Sequence, residues 1–224
     1  MIELYLDTID IESVKRLNTC LPIKGVTTNP AIIASSGVGV SQALSDLADI
    51  IGSNARFHVQ VISQTVDEMV AEAIAIDKMH YEMVVKVPAT EVGLAAIKKI
   101  KKRGIVVLAT AVYTSQQGFM AALCGADYIA PYINRIDNMG GDGANVVADL
   151  QQLISIHGLE CKVLPASFKN TLQVLDVLKL GVEAITLPVD VAMQMFTHPA
   201  IEPAVGQFNQ EWRDTFGTML SFET

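Results

Sequence analysis

Three kinds of feature are scarce in this sequence, and each shortage argues against a class of protein. The 224 residues include only three cysteines, Cys20, Cys124 and Cys161. Their odd number and wide spacing fit neither a disulfide framework nor a zinc site, which favours a reducing compartment. Positive charge is also scarce, since 16 Lys and Arg stand against 24 Asp and Glu. The formal net charge of −8 argues against non-specific binding to nucleic acid or to an anionic membrane.

Long apolar runs are missing too, although half of the residues are hydrophobic. No run approaches the roughly 20 residues that a membrane-spanning helix needs, and the short acidic N-terminus lacks a signal-peptide pattern. We therefore expect a cytoplasmic protein without a membrane partner, whose apolar residues lie in buried parallel strands and in subunit interfaces.

Eight short β-like runs alternate with amphipathic segments along the chain, over 2–7, 25–29, 57–63, 82–88, 104–110, 127–134, 161–167 and 183–188. No run is followed by a GxGxxG turn, and no change of composition marks a domain boundary. Eight units in one series predict a single α/β domain over 1–224, a (β/α)₈ TIM barrel with an extra C-terminal helix. A doubly wound open sheet is the alternative.

Period-two alternation predicts which side chains face the barrel interior. In the first strand, Ile2, Leu4 and Leu6 form the outward apolar set, which leaves Asp7 inward. The same alternation turns polar side chains inward on five further strands: Thr27, Asn29, Gln60, Lys86, Thr110 and Tyr132. Ser167 ends the seventh strand. Because barrel interiors are normally apolar and active sites lie at the carboxyl ends of the strands, these residues predict a site.

Lys86 is the central candidate, because it interrupts the apolar run EMVVKVP. Burial disfavours the charged form of a lysine, and a neutral amine can attack a carbonyl to form a Schiff base. Taken from its strand alone, Lys86 could equally reach the rim and pair with Asp7; the surrounding polar ring favours catalysis. Lys162 is rejected as a rival, because it opens its strand at the opposite face and its parity is predicted to be outward.

Arg135 and Ser167 are candidates for binding an anion, since arginine offers a planar fork of donors. A salt bridge from Arg135 to Asp137 is the competing interpretation. The glycine-rich loop 138–143 is interpreted as the start of a helix. The four histidines include no plausible metal pair, and His58 is placed at the beginning of its strand, away from the site.

The C-terminal segment carries an apolar stripe at helical spacing, made of Ile201, Val205, Phe208, Trp212 and Phe216. Packing on its own barrel and contact with another subunit are both open.

Several motifs in this order resemble the small transaldolase-like family that contains fructose-6-phosphate aldolase: YLDT, GVTTNPAII, VVKVPAT, ATAVY, APYINRID and ASFK. The resemblance runs essentially end to end. It implies a cofactor-free and metal-free class I aldolase on a (β/α)₈ barrel, acting on a sugar phosphate and dihydroxyacetone. It also implies a pentamer or decamer, in which the C-terminal helix, here 200–219, reaches a neighbouring subunit.

The resemblance further implies a role for each matching residue. Lys86 corresponds to the Schiff-base lysine and Asp7 to the strand-one aspartate. Thr27, Asn29 and Thr110 match the family's site residues on strands two and five, and Arg135 and Ser167 match its phosphate ligands.

Two positions favour aldolase over transaldolase, because aldolases of this family have glutamine and tyrosine where this chain has Gln60 and Tyr132. Transaldolases usually have glutamate and phenylalanine. Ala89, Ala109 and Pro165 depart from the family pattern and bear on pocket shape. We expect a fructose-6-phosphate aldolase, with transaldolase as the close alternative and a non-catalytic sugar-phosphate binding barrel as the distant one.

Overall fold

The structure is a computed structural model that describes residues 2–52 and 54–223, and its centre is a barrel of parallel strands. The strands are β1 (Glu3–Asp7), β2 (Ile23–Thr27), β3 (Arg56–Gln60), β4 (Glu82–Pro88), β5 (Val107–Val112), β6 (Tyr128–Pro131), β7 (Lys162–Val163) and β8 (Ala184–Leu187). The helices around them are α1 (Ile11–Asn18), α2 (Pro30–Ser36), α3 (Val40–Ile51), α4 (Val66–Asp77), α5 (Glu91–Lys101), α6 (Ser115–Leu123), α7 (Ile133–Asn138), α8 (Gly143–Ile156), α9 (Thr171–Leu178), α10 (Val189–Gln194) and α11 (Ile201–Phe216).

The strand order confirms the predicted (β/α)₈ barrel. Each strand pairs in parallel with its sequence neighbour from β1 to β7, and β8 pairs with β1. The backbone N–H of Thr186 donates to the carbonyl of Pro165 at 3.2 Å, which links β8 to the segment after β7 and nearly closes the ring. Close strand packing requires glycine at position 25, because a Cβ there would lie 1.8 Å from the Arg56 carbonyl oxygen.

Apolar side chains pack on both sides of the barrel sheet, in an outer and an inner layer. The outer layer lies between the sheet and the helices, and the smaller inner layer fills the barrel with Tyr5, Val84, Leu108, Tyr128, Ala130, Leu164, Ala166 and Ala184. Side chains that precede the helices help to fix them. The Thr65, Thr90, Thr114, Asp142 and Asn170 oxygens each accept a hydrogen bond from a first-turn N–H. The predicted helix start at the 138–143 loop is confirmed, since α8 begins at Gly143.

A network of charged side chains closes the amino-terminal end of the barrel. The Glu3 carboxylate accepts from Lys162 at 2.8 Å and from the Tyr128 hydroxyl at 2.9 Å, and it also pairs with Arg56. A cavity of about 520 Å³ opens at this end. Since Arg56 and Lys162 already have carboxylate partners, we interpret this end as structural.

Lys162 corrects one sequence prediction. As predicted, Lys162 lies at the end of the barrel opposite the carboxyl ends of the strands. Its side chain, however, points into the barrel rather than outward, on the same side of the chain as the inner-layer residues Leu164 and Ala166. The prediction failed because β7 has only two strand residues and too little alternation to establish a face.

The carboxyl ends of two strands differ from the predicted bounds. β6 ends at Pro131, and Tyr132 becomes the residue that precedes α7, held by a single bridge to Ala166. Ser167 lies four residues beyond β7 with φ of 64°, in the left-handed region.

The last helix, α11, has no buried residue. Four residues of its stripe are exposed, with Phe208 65% accessible, and Trp212 is half-buried against Phe216 of the same helix. Packing of the stripe on its own barrel is not observed within the described residues. In the part of the chain that the structure describes, no helix has both the length and the apolar character needed to cross a membrane.

Candidate active site

Asp7 and Thr27 meet at the carboxyl ends of neighbouring strands. They are register partners in the β1–β2 pair, and the Thr27 hydroxyl donates to Asp7 Oδ1 at 2.7 Å. The Thr27 Oγ1 also lies 2.7 Å from the hydroxyl oxygen of Thr186 on β8. Thr186 was missed by the sequence analysis, although its position in the apolar run AITL marks it as a polar inward candidate.

Lys86 lies inside the barrel with 6% of its surface exposed. Its Nζ donates to the Thr28 carbonyl at 2.6 Å, and no ion pair joins it to Asp7 within the described residues. Burial lowers the pKa of Lys86 to about 8, and the negative charge of Asp7 opposes part of that shift. The interpretation of Lys86 as a rim residue paired with Asp7 therefore does not hold. A useful fraction of its amine is neutral near physiological pH.

Polar side chains lie near the carboxyl ends of β3 and β5, the strands on either side of Lys86, and directly after β6. Gln60 is the register partner of Lys86 in the β3–β4 pair, and Thr110 ends the neighbouring pair opposite Pro88. The hydroxyl of Thr110 lies 2.8 Å from the phenol oxygen of Tyr132, with either group able to donate. Two hydroxyls in contact near a buried amine can exchange and hold protons.

Asn29 has a structural role in this arrangement. Its Oδ1 accepts from the Ile32 N–H at 3.0 Å and so begins α2, directly after β2. Because its oxygen is engaged in this way, the side-chain NH₂ is the group left to face a ligand.

Arg135 and Ser167 lie in the segments that follow β6 and β7. The Arg135–Asp137 salt bridge is not observed: the Asp137 carboxylate accepts from the Gly143 N–H at 2.8 Å and from Gln173 Nε2 at 2.7 Å. Arg135 instead lies over the ring of Tyr132, with its guanidinium carbon 4.9 Å from the ring centroid. The Arg135 side chain is exposed and has no carboxylate partner among the described residues, so its guanidinium is available to an anion.

His58 is the middle residue of β3 rather than its beginning, and it lies inside the barrel. Its ring is fully buried between the rings of Tyr5 and Tyr128, with centroids at 4.6 and 5.7 Å. Neither ring nitrogen has a partner in the described protein. Burial first, then the charges of Lys86 and Arg56, hold the pKa of His58 well below its usual range, so the ring is neutral.

A surface cavity of about 460 Å³ borders this end of the barrel. It lies between the segment after β1 and helix α2, and it is lined by Asp7, Thr8, Ile9, Asp10, Ile11, Ile32, Ser35 and Ser36. The proposed site is thus open to a solute on the side of Asp7.

Comparison with known proteins identifies the family of the chain. The family described as Transaldolase/Fructose-6-phosphate aldolase matches residues 4–223, which is nearly the whole chain.

Similar solved structures indicate the fold alone, because their sequence identities are low. A member of the enolase superfamily from Agrobacterium tumefaciens has 14% identity and a TM-score of 0.64, over 86% of this chain and 51% of that one. A putative isomerase from Sinorhizobium meliloti, in an open loop conformation, has 13% sequence identity and a TM-score of 0.63. The match covers 85% of this chain and 52% of that one. The chain spans about half the length of these two proteins. Thiamine phosphate pyrophosphorylase from Pyrococcus furiosus has 18% sequence identity and a TM-score of 0.53. The match covers 84% of this chain and 85% of that one.

Proposed function

The chain belongs to the transaldolase/fructose-6-phosphate aldolase family, and from that premise we propose that it is a class I aldolase. In this proposal it cleaves fructose 6-phosphate reversibly to dihydroxyacetone and glyceraldehyde 3-phosphate. The observation that carries the proposal is Lys86, a buried amine with a pKa of about 8 among polar side chains at the carboxyl ends of the strands.

The reaction begins when the neutral amine of Lys86 attacks the C2 carbonyl. The carbinolamine loses water to give a protonated imine, which withdraws electrons from the neighbouring bond. The C4 hydroxyl loses its proton, the C3–C4 bond breaks, and glyceraldehyde 3-phosphate leaves. The bonding electrons pass into an enamine. Protonation of its carbon and addition of water then release dihydroxyacetone and restore the lysine.

Tyr132 is the proposed acid and base for these steps. Its phenol lies 2.8 Å from the Thr110 hydroxyl, and Gln60 is next to Lys86 in register. These three polar groups can hold one water molecule close to the imine, and a positioned phenol and water can transfer protons to the enamine. Asp7 would orient the lysine and, with Thr27 and the Asn29 amide, the substrate hydroxyls.

Arg135 and Ser167 are the proposed ligands of the substrate phosphate. A guanidinium without a carboxylate partner suits a phosphate monoester, because it can donate two parallel hydrogen bonds. The left-handed backbone of Ser167 fits a site residue, since such conformations concentrate at functional positions.

Transaldolase is the alternative that the same imine would serve, since its enamine waits for an acceptor aldehyde. Gln60 and Tyr132 favour the aldolase, because a phenol and a held water allow the enamine to be protonated without an acceptor.

The test is to measure glyceraldehyde 3-phosphate released from fructose 6-phosphate with no acceptor aldehyde present. Sustained turnover is the expected result. A single burst near one equivalent per site would contradict the aldolase and favour transaldolase. Tyr132→Phe is the matched variant, in which we expect turnover to fall about 100-fold or more, the usual range for loss of a general acid.

A further inference from the structure

Tyr113, in the segment between β5 and α6, holds the exposed guanidinium of Arg135. Arg135 Nη1 donates to the Tyr113 hydroxyl at 3.3 Å, and this hydrogen bond is the first cause of a raised pKa for Arg135. The rings of Tyr113 and Tyr132 meet edge to face at 5.6 Å, so the guanidinium lies beside two aromatic side chains. A side chain held in this way loses less conformational entropy when it binds a ligand.

The backbone of Tyr113 is itself fixed by Gln117. The Tyr113 N–H donates to Gln117 Oε1 at 2.9 Å, and Gln117 Nε2 donates to the carbonyls of Ala89 at 2.9 Å and Ala111 at 3.0 Å. Ala111 has a left-handed φ of 57°, which turns the chain directly after Thr110. Since Ala89 follows Lys86 by three residues, Gln117 ties Tyr113 to the strand that carries the lysine.

The Tyr113 phenol still has a hydrogen to donate. It accepts the Arg135 hydrogen bond, and no acceptor for its own O–H lies within hydrogen-bond distance in the described residues. An oxyanion bound to Arg135 would supply that acceptor, because a phosphate oxygen accepts several donors at once.

We infer that Tyr113 is a specificity-determining residue, which fixes Arg135 and adds a hydroxyl donor to a site for phosphate monoesters. The inference rests on the proposed function for the identity of the substrate, and it deepens that proposal. It assigns the preference for phosphorylated over unphosphorylated aldehydes to the pair Tyr113 and Arg135 instead of to the arginine alone.

The test is Tyr113→Phe, which keeps the ring and removes the hydroxyl. In condensation with dihydroxyacetone, we expect the KM for glyceraldehyde 3-phosphate to rise about three- to tenfold, as for a lost hydrogen bond to a charged group at an exposed site. The kcat of this variant with glyceraldehyde 3-phosphate should stay within about twofold of the native value. Its kcat and KM with unphosphorylated glyceraldehyde should also stay within about twofold. Tyr81→Phe is the matched control, since Tyr81 packs on Phe57 outside the site.

A double variant tests whether Tyr113 acts through Arg135. In an Arg135→Gln background, Tyr113→Phe should raise the KM for glyceraldehyde 3-phosphate by a smaller factor than in the native protein, because only the tyrosine's own hydrogen bond to the phosphate is left to lose. Equal losses with both aldehydes, or fully additive losses in the double variant, would overturn the inference.

A binding measurement separates this inference from the aldolase proposal. The Kd of inorganic phosphate, followed by ³¹P NMR, should weaken about three- to tenfold in Tyr113→Phe even if Lys86 performs no aldol chemistry. An unchanged phosphate Kd would contradict the role of Tyr113 whatever the reaction.

Discussion

At the scale of single residues, burial of Lys86 has both a chemical and an energetic consequence. The chemical consequence is that about half of the Lys86 amine is neutral near pH 8. The energetic one is that the folded protein must bury a charged group whenever the amine is protonated, and its contacts only partly compensate, since Nζ reaches one backbone carbonyl. A buried lysine of this kind therefore lowers stability.

Lys86→Met should stabilise the protein at pH 7. The lysine titrates near 10.5 when unfolded and about 8 when folded, so at pH 7 the folded state carries the full cost of the shift. That cost is about 3 kcal/mol, less about 1 kcal/mol for the lost hydrogen bond to Thr28. The difference should shrink toward pH 10, because the folded lysine of the native protein then becomes neutral.

Urea unfolding at pH 7 and pH 10 checks this prediction, with Lys98→Met as a control at an exposed lysine. A Lys86→Met protein that is less stable at pH 7, or a difference that does not depend on pH, would show that Lys86 is not buried as a costly cation.

At the level of the elements, β1 and β4 were predicted from the sequence almost to their observed bounds. β1 and β4 have apolar residues on their outer side, and this pattern was enough to turn Asp7 and Lys86 toward the interior. Where the strand is short, as at β7, the pattern had too few residues to decide, and Lys162 was assigned the wrong side.

Contacts between distant elements could not be predicted from the sequence. Asp137 is close to Arg135 along the chain, but its carboxylate is taken by Gly143 and by Gln173 of α9. The placement of Tyr113 depends likewise on a glutamine that reaches the end of β4. Such choices are decided by packing between helices, which local patterns do not record.

At the scale of the whole molecule, α11 presents an apolar stripe that its own barrel does not cover. Ile201, Val205, Phe208 and Phe216 are all exposed, and an apolar patch of this kind on a helix commonly marks an interface. The family resemblance implies contact with a neighbouring subunit, and we propose that α11 packs on a second copy of the chain.

Phe208→Glu should therefore dissociate the oligomer, because it places a charge in the centre of the stripe. Gln207→Glu is the matched control: it adds the same charge next to Phe208, where the native glutamine contacts Glu211 rather than the stripe. Mass measured by light scattering during gel filtration gives the answer. A native protein that is monomeric, or a Phe208→Glu protein of native mass, would contradict the interface.

An aldolase of the proposed kind must form a covalent imine between Lys86 and a three-carbon ketone. The most direct measurement is reduction with borohydride in the presence of dihydroxyacetone, followed by peptide mass mapping. The expected product is one reduced dihydroxyacetone adduct per chain, located on Lys86 and absent from Lys86→Met, with Lys162 and the other lysines unmodified. A protein that remains unmodified, or an adduct on another lysine, would contradict it.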